Sequence, residues 1–447
     1  MNIPERNREQ CFWRMPDGTR VHQEDASQIL SEGGSLRLHV RRLLTASTSV
    51  TNAEMHVAEG MITEIRQLPD HRAAEADPVA LIPQLVNGHT HLEFSDRVVP
   101  VEPSTPFTAW IQAVIAERKH SAGSGVPRSV AIEKGVEECH RYGVVGIGEI
   151  TTASALDLAT SSYEQSEQNL TRFGLPPETS PIVSFREFIG LRSDAESTAG
   201  EAVARHVADC RKAGVRPGIS PHAPYSVHPD LFDALMDAAW KHELPAAMHL
   251  AETMDERELL ETGQGRFRDF LQSMNLWSPE VFPGGRSIMP FLSRMAELPH
   301  ALAVHCNYAD STELRFLADH PNVAVVYCPR THRFFGHTPH PWMQLLAAGG
   351  RVILGTDSRA SSPDLNLWAD LQMAARESLI AGSVVSAERL IYMVTTEAAK
   401  SLGLQPGEFD LQLNRPFRGV LVRDDSAATQ SHTEWMLMAE SQPIAFF

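Results

Sequence analysis

Residues 85–95 read LVNGHTHLEFS, a short apolar run that ends in two histidines separated by one residue. Side chains on a β-strand alternate between its two faces, so His89 and His91 would lie on the same face, about 6–7 Å apart along the backbone. A pair of imidazoles placed in this way can share one metal ion. Taken alone, the pair is equally well explained as the polar end of a strand.

Apolar runs of the same kind recur through the middle of the chain and alternate with helical patterns. The residues at 107–118, FTAWIQAVIAER, repeat apolar side chains at helical spacing, and so do those at 230–244, where Trp240 completes the predicted apolar stripe. Eight strands that alternate with helices predict an α/β fold, a (β/α)8 TIM-type barrel over residues 85–409. A doubly wound open sheet is the alternative, although no GxGxxG fingerprint opens any unit. The strand candidates are Leu85–His89, Val144–Ile150, Pro181–Phe188, Arg216–His222, Leu244–His249, Ala301–His305, Val323–Cys328 and Arg351–Gly355.

The two ends of the chain have a different pattern, with short alternating runs that are typical of β-strands. Residues 36–40 alternate, residues 54–65 indicate two strands joined by a turn at Glu59-Gly60, and residues 419–423 are the clearest strand of the tail. We therefore expect residues 1–84 and 410–447 to form one small β-sandwich-like domain beside the barrel.

The amino-acid composition limits the kind of molecule that the protein is expected to bind. A formal net charge of −17 argues against nucleic acid or an anionic membrane surface, and leaves a neutral or cationic small molecule as the substrate. The amino-terminal residues do not resemble a secretory signal, and no apolar run reaches the ~18 residues of a transmembrane helix. Five scattered cysteines without CxxC spacing indicate free thiols in a reducing compartment, so we expect a cytoplasmic protein.

The polar residues that follow the strand candidates are of the types that carry chemistry. They are His222 in SPHAPYS, His249 and Glu252 in MHLAET, His305 in AVHCNY and Asp357 in ILGTDS. Each has a simpler explanation when taken singly, such as a helix cap for Asp357 or a hydrogen-bonded core histidine for His305. Barrel enzymes assemble their sites at the carboxyl ends of the strands, however, and a shared cation explains all of these residues together. Three imidazoles and one carboxylate suit zinc and leave a position for water.

The order His-x-His, SPHAPYS, HLAET, VHC and GTDS resembles the amidohydrolase superfamily over about residues 36–404. Within it the chain resembles the deaminase branch that contains the S-adenosylhomocysteine/methylthioadenosine deaminases and the aminodeoxyfutalosine deaminases. The stretches NGHTHLEFS, FTAWIQAVIAER and SFREFIGL are most similar to the aminodeoxyfutalosine group.

The resemblance implies a role for each of these residues. It implies that Glu252 is a proton shuttle, that His305 is a partner of the attacking water and that His222 contacts the substrate. It also implies metal ligands at His89, His91, His249 and Asp357, with Asp357 acting in catalysis as well. Arg330, Phe335 and His337 are further candidates for the substrate pocket, each with packing or a solvated loop as the simpler explanation.

One divalent ion, zinc with iron as the alternative, is the predicted cofactor. Binuclear relatives carry a modified lysine at the end of the fourth barrel strand, where this chain has His222 and where residues 216–226 contain no lysine. Thr331-His332 stands where many deaminases of this branch have Ser-Asn, which bears on the substrate.

The expected reaction is hydrolytic deamination of an adenine-type or related aminated ring, with release of ammonia. The alternatives are hydrolysis of a cyclic amide, as in dihydroorotase-like relatives, and an inactive barrel that only binds a ligand. Homo-oligomers are common in this branch, so self-association stays open. Residues 253–299, between the fifth and sixth strands, would either cover the pocket as a lid or form an inert surface excursion.

Overall fold

A computed structural model describes residues 12–123, 127–152, 154–158, 180–192, 195–426, 430–438 and 441–446. Cys11 and the rest of residues 1–11, part of the predicted terminal domain, lie outside this range. In chain order the strands are β1 (Trp13–Arg14), β2 (Arg20–Val21), β3 (Ser35–Leu44), β4 (Ser49–Ala58), β5 (Met61–Gln67), β6 (Asp77–Pro83), β7 (Leu85–Thr90), β8 (Val144–Thr151), β9 (Ile182–Phe188), β10 (Arg216–Pro221), β11 (Ala246–Leu250), β12 (Ala301–His305), β13 (Val323–Tyr327), β14 (Arg351–Leu354), β15 (Gly419–Arg423) and β16 (Pro443–Phe446).

The strands from β7 to β14 form a nearly closed parallel barrel. Each pairs in parallel with the next, so their spatial order follows the chain. The last strand returns to the first, because the Asp357 N–H donates to the His89 carbonyl over 3.1 Å and a parallel bridge joins Thr90 to Asp357. The predicted TIM-type barrel is therefore confirmed, and the boundaries of the eight predicted strands differ from those observed by at most two residues.

Helices connect the barrel strands along the chain, and one further helix, the first in the chain, packs against the sheet formed by the chain ends. They are α1 (Gln23–Ser31), α2 (Phe107–Gly123), α3 (Arg128–Arg141), α4 (Ala199–Ala213), α5 (Pro229–His242), α6 (Met254–Thr262), α7 (Arg266–Ser273), α8 (Met289–Met295), α9 (Ser311–Asp319), α10 (Pro329–Phe335), α11 (Trp342–Ala347), α12 (Leu367–Ile380), α13 (Ala387–Met393), α14 (Thr396–Ser401) and α15 (His432–Met436). Among the described residues, none of these helices is both long enough and apolar enough to span a bilayer.

Burial on both sides explains why the barrel strands are continuous apolar runs rather than alternating ones. Every residue of β11, β12 and β13 is buried. Side chains such as Val86, Phe185 and Val304 form a cluster among the strands, so the barrel holds a packed core rather than a pore.

Both predicted amphipathic segments are helices, α2 and α5, but one residue was assigned to the wrong face. Leu231, Leu235 and Met236 pack into the core, whereas Trp240 is 64% exposed. A helix turns by about 100° per residue, which carries Trp240 past the edge of the buried face. The prediction that Trp240 belongs to the apolar stripe is therefore wrong.

The two chain ends meet in a separate, curled sheet. The β15 strand pairs antiparallel with β6, Val420 lying opposite Ile82, while β6 pairs in parallel with β3. The predicted strands at residues 36–40, 54–65 and 419–423 all lie in this sheet, and Glu59-Gly60 forms the turn between β4 and β5. A sheet built from both ends is thus confirmed, and the domain limits at residues 84/85 and 409/410 stay predictions.

Candidate metal centre

The carboxyl edge of the barrel brings together side chains that are far apart in the sequence. His89 lies in β7 and His91 directly follows that strand, His249 lies in β11, and Asp357 comes three residues after β14. All four are at most 8% exposed. The parallel direction of the strands places these residues at one rim, as the sequence pattern predicts.

The spacing of the ligand atoms suits a shared ion. Candidate ligand atoms of His89, His91 and His249 lie within 4.8 Å of one another. The Oδ1 atom of Asp357 is 3.6 Å from the Nε2 of His89 and 3.7 Å from the Nε2 of His91, longer than ordinary hydrogen bonds. Two ligand atoms bound at 2.0–2.1 Å to one tetrahedral zinc would be roughly 3.3 Å apart. The three imidazoles therefore lie close enough together to share one ion, and the Asp357 carboxylate lies beside two of them.

Unsatisfied nitrogens provide an independent test of this fit. Both ring nitrogens of His89 and the Nδ1 of His91 are buried and have no hydrogen-bond partner among the described residues. Leaving such groups unpaired costs roughly 1–3 kcal/mol each, a penalty that coordination would remove for the nitrogens that bind the ion. The Nδ1 of His249 donates to the carbonyl of His222 over 2.9 Å, which leaves its Nε2 lone pair free for a ligand. These residues fit a divalent cation of the zinc type.

Electrostatics hold the cluster in the protonation states that bind a metal. Burial, reinforced by His222 and His89, lowers the pKa of His249 to about 3, and burial also lowers the pKa of His91 well below its usual value. Burial by itself would raise the pKa of Asp357, but the surrounding histidines lower it below its ordinary value. These shifts favour neutral imidazoles at His91 and His249 and a charged carboxylate at Asp357, the forms that bind a metal.

Glu252 and His305 lie beside this cluster. The backbone N–H of Glu252 donates to Glu256 over 2.9 Å, and the Nδ2 of Asn307 donates to the Glu252 carbonyl over 2.9 Å, so the backbone here is held on both sides. The Glu252 carboxyl is 3.5 Å from the Nε2 of His305. Burial, with Asp357 and Glu256 adding negative charge nearby, raises the pKa of Glu252 well above its usual value. A carboxyl in this environment retains a proton that it can donate.

A cavity of about 420 Å³ opens onto these groups. Its wall includes His91, His249, Glu252, His305 and Asp357, while the rest is mostly apolar. Concave, mainly apolar sites with a few polar groups are typical of small-molecule binding. The apolar lining consists of Phe94, Phe107, Trp110, Ile111, Val114, Ile115, Ile189, Leu191, Phe270, Leu271, Met274 and Leu276.

The excursion at residues 253–299 folds against the cavity. It contains α6, α7 and α8, and Phe270 and Leu271 of α7 form part of the cavity wall. Phe267 of the same helix is fully buried and stacks on Tyr225, with ring centroids 4.2 Å apart. The segment therefore supplies part of the cavity wall, and its action as a lid stays a prediction.

Of the four residues predicted to contact the substrate, His222 is the one that lines the cavity. His222 lies in the cavity wall, with its ring centroid 5.0 Å from that of His249. Phe335 packs on Phe107 and Trp110 and is not itself among the lining residues.

Arg330 and His337 do not reach the cavity wall. The Arg330 guanidinium forms ion pairs with Asp370, at 2.9 Å, and Asp364, and His337 contacts the hydroxyl of Tyr308 at 3.1 Å. Helix α10 presents Arg330 to the fully buried Asp370 of α12, so its charge is already matched within the protein. Neither side chain lines this cavity, so a substrate contact for Arg330 or His337 stays a prediction.

Glu187 and Arg118 are among the wall residues that were not singled out from the sequence. Glu187 lies near the end of β9, the third barrel strand. It follows an apolar run in the same way as the predicted site residues, so the rule that found His222 and His305 also applies to Glu187. Arg118, in the second half of α2, pairs with Glu93.

A barrel that gathers three histidines and an aspartate at the carboxyl rim of its strands defines a hydrolase with a metal-type centre. The amidohydrolase family model matches residues 80–411, and the chain belongs to that family. The protein is a hydrolase acting on C–N bonds other than peptide bonds, which confirms the predicted enzyme class.

Relatives and structures agree with this assignment. The aminodeoxyfutalosine deaminase of Deinococcus radiodurans is 28% identical over 341 residues, which cover 73% of this chain and 75% of that protein. The crystal structure of Helicobacter pylori aminofutalosine deaminase with methylthio-coformycin has a TM-score of 0.71 at 19% identity and covers 92% of this chain and 98% of its own. An adenosine deaminase from Xanthomonas campestris with bound zinc has a TM-score of 0.62 at 19% identity, covering 92% of this chain and 91% of its own. The predicted resemblance to the deaminase branch is confirmed.

Proposed function

We propose that this protein is a mononuclear metal-dependent deaminase that hydrolyses an adenine-type, aminodeoxyfutalosine-like nucleoside or a related aminated heterocycle and releases ammonia. One observation carries the proposal: the cluster of His89, His91, His249 and Asp357 opens into the same cavity as a buried, proton-retaining Glu252. The names of the relatives, all nucleoside deaminases among those described above, support the same reaction.

The proposed cofactor is one zinc ion, with iron(II) as the alternative, held by His89, His91, His249 and Asp357. A single ion is supported by the topology, because β10 is the fourth strand of the barrel and is followed by His222 rather than by a lysine. When bound, such an ion supplies a water of lowered pKa, about 7 instead of 15.7, as the nucleophile.

Glu252 is proposed to protonate a ring nitrogen of the substrate. Its raised pKa favours the protonated carboxyl, which is the form that donates. Protonation of the ring withdraws electrons from the neighbouring carbon that bears the amino group, so that carbon becomes open to attack. General acid catalysis of this type contributes typically about 10²–10⁴-fold to the rate.

Asp357 and His305 are proposed to handle the attacking water. The Oδ2 atom of Asp357 accepts a hydrogen bond from the Ser361 hydroxyl over 3.1 Å, which fixes the direction of the carboxylate. Asp357 takes a proton from the water as the oxygen of that water bonds to the ring carbon. That proton then passes to the amino group, the C–N bond breaks and ammonia leaves, while the second proton of the water returns to Glu252 and restores its carboxyl.

We propose that His305 orients the attacking water in this step. It has a left-handed backbone conformation, φ 68°, and its carbonyl accepts from the Nε2 of His340 over 2.7 Å. Such a conformation is unfavourable for a bulky residue and is often found at functional sites.

A substrate panel tests the proposed reaction. Purified protein with measured metal content is assayed for ammonia release from aminodeoxyfutalosine, 5′-methylthioadenosine, 5′-deoxyadenosine and adenosine. Dihydroorotate, scored by ring opening, represents the cyclic-amide alternative. We expect ammonia from at least one nucleoside and no ring opening; ring opening without ammonia would overturn the proposal.

Glu252→Gln separates catalysis from mere binding. We expect kcat to fall by about 10²–10⁴-fold because the amide cannot donate the proton, while the bound metal per protein is unchanged. Glu258→Gln, at an exposed position on α6, is the matched control and should keep full activity. Unchanged turnover in Glu252→Gln would contradict the role assigned to this residue.

A further inference from the structure

Contacts to the backbone of Asp357 fix the point from which its side chain extends. The Asp357 N–H donates to the His89 carbonyl over 3.1 Å. The Asp357 carbonyl accepts from the hydroxyl of Thr90 over 3.1 Å and from that of Thr356 over 3.2 Å. These bonds hold a left-handed conformation with φ 57°. The rotation of the carboxylate, and with it the choice of the oxygen that faces the histidines, is left to contacts of the side chain itself.

One hydroxyl group distinguishes the two carboxylate oxygens. Ser361 is fully buried, and its hydroxyl donates to the Oδ2 of Asp357 over 3.1 Å. The Oδ1 atom faces the Nε2 atoms of His89 and His91, at 3.6 and 3.7 Å. The same hydroxyl has a second possible acceptor, the carbonyl of Ser358 at 3.4 Å. Because a serine hydroxyl has one proton, a contact that favours donation to Asp357 also selects the oxygen that faces the proposed metal.

Thr331 contacts this hydroxyl from the other side. It lies on α10, is 1% exposed, and its Oγ1 is 3.0 Å from the Oγ of Ser361. Since Ser361 gives its proton to Asp357, the Thr331 hydroxyl is the donor in this pair. Its donation polarises the O–H bond of Ser361 and strengthens the hydrogen bond that continues to the carboxylate.

We propose that Thr331 is a positioning residue that acts through Ser361 on the carboxylate of Asp357. The two hydroxyls hold Oδ2 and keep Oδ1 directed toward the imidazoles. Oδ2 has a second lone pair, so it can take the proton of the water while Ser361 stays bound. Loss of such an outer contact typically costs about 10- to 100-fold in metal affinity or activity. The inference rests on the proposed function, because it concerns a proposed metal ligand.

The surroundings of Thr331 agree with a role behind the metal centre. Thr331 is not among the residues that line the cavity. Its neighbour Arg330 donates to the carbonyls of Asp364, over 2.9 Å, and Asn366, over 3.1 Å. Both carbonyls belong to the segment between β14 and α12, which also carries Ser361. These bonds tie α10 to that segment and keep the two hydroxyls in contact.

Variants of similar shape separate the hydroxyl from the bulk of the side chain. Thr331→Val removes the hydroxyl, whereas Thr331→Ser keeps it. The Kd of zinc is measured by competition with a chromophoric chelator. We expect Thr331→Val to raise this Kd about 10-fold and Thr331→Ser to stay within about threefold of the wild type. Thr312→Val, at an exposed position on α9, is the matched control and should bind zinc like the wild type.

Two results of this comparison would overturn the proposal. One is a Thr331→Val protein with the zinc affinity of the wild type. The other is a Thr331→Ser protein that binds zinc as weakly as Thr331→Val, because the hydroxyl would then not be the group that matters. In the metal-loaded enzyme, Thr331→Val should lower kcat and leave KM within about threefold, since its hydroxyl does not line the cavity. A rise in KM with unchanged kcat contradicts the role.

A double-mutant cycle tests whether Thr331 acts through Ser361. Ser361→Ala should raise the Kd of zinc about 10- to 100-fold. Adding Thr331→Val to that variant should change the Kd by less than about twofold, because the contact that transmits the effect is already lost. Independent effects would instead multiply. A double variant in which the two effects multiply would show that Thr331 does not act through Ser361.

Zinc binding also distinguishes failure of this inference from failure of the proposed function. If the wild type binds zinc but releases ammonia from none of the nucleosides, the proposed reaction is wrong and the zinc Kd values still decide the role of Thr331. If it releases ammonia while all variants bind zinc equally, the positioning role is wrong and the reaction stands. A wild type that binds no divalent ion rejects both.

Discussion

At the scale of single residues, His340 shows how burial sets a protonation state. It is 6% exposed, its Nε2 donates to the carbonyl of His305 over 2.7 Å, and its Nδ1 accepts from the backbone N–H of Trp342 over 2.9 Å. A second ring proton would point at that N–H group. Burial accordingly lowers the pKa of His340 to about 3.

We predict that this histidine makes the fold acid-sensitive. Its pKa is about 6.5 in the unfolded chain and lower in the folded one, so its contribution is fully present above pH 6.5 and is lost as the pH falls toward 3. At pH 5 the loss amounts to about 2 kcal/mol. Urea unfolding of the wild type and of His340→Gln between pH 7 and pH 5 measures it. The variant should lose less stability than the wild type over this range, and identical losses would show that His340 does not titrate as described.

At the scale of secondary-structure elements, one buried ion pair joins α10 to α12. Arg330 contacts Asp370, which is fully buried, and also donates to the carbonyl of Asn366 over 3.1 Å. The pair therefore contributes to the packing of two helices rather than to the cavity.

Arg330→Met is expected to destabilise the protein by about 3–5 kcal/mol, because it leaves Asp370 as an unpaired buried charge. The double variant Arg330→Met/Asp370→Asn should recover much of that loss, since the charge is then removed as well. Both are measured by urea unfolding. For enzyme that remains folded we expect KM within about threefold of the wild type. A rise in KM without a matching fall in kcat would support a substrate contact at Arg330.

The α6–α8 segment supplies a second prediction at this scale. Phe267 anchors α7 on Tyr225 and is fully buried, so Phe267→Ala should loosen the cover over the cavity. Removal of a buried phenylalanine costs about 3–5 kcal/mol, and here we expect much of that cost to be local. Amide hydrogen exchange should increase within residues 254–273, and KM should rise more than kcat falls. Faster exchange spread evenly over the barrel strands would argue against a separate covering element.

At the scale of the whole molecule, the metal centre connects distant parts of the barrel. Its proposed ligands come from β7, β11 and the loop after β14, so a bound ion would link the first barrel strand to the region that follows the last. Anything that binds only the folded state stabilises it, by about 2.7 kcal/mol at a ligand concentration 100 times its Kd.

Removal of the metal with a chelator should therefore lower Tm by about 3 °C at this stabilisation, and added Zn²⁺ should restore it. His89→Asn should bind less metal and should show little further change with chelator. Glu201→Gln, away from the site, should respond like the wild type. A Tm that is the same with and without metal would show that the ion does not stabilise the folded state.

The sequence by itself determined the barrel and the composition of its metal-type centre. Runs such as residues 323–328 and 351–355 are apolar because parallel strands are buried on both faces, and this pattern is local. A charged or polar group at the end of a buried strand is energetically costly. His249, His305 and Asp357 therefore indicate a functional site from the sequence alone.

Only the tertiary structure decided which other polar residues face the cavity. Arg330 and Glu187 are both charged residues that follow apolar runs, yet Arg330 meets Asp370, forty positions away, whereas the Oε1 of Glu187 has no donor among the described residues. Whether a charge is matched depends on which distant segment packs against it, and spacing along the chain does not contain that information. The same reason explains why the position of α7 over the cavity and the outward direction of Trp240 were settled only by packing.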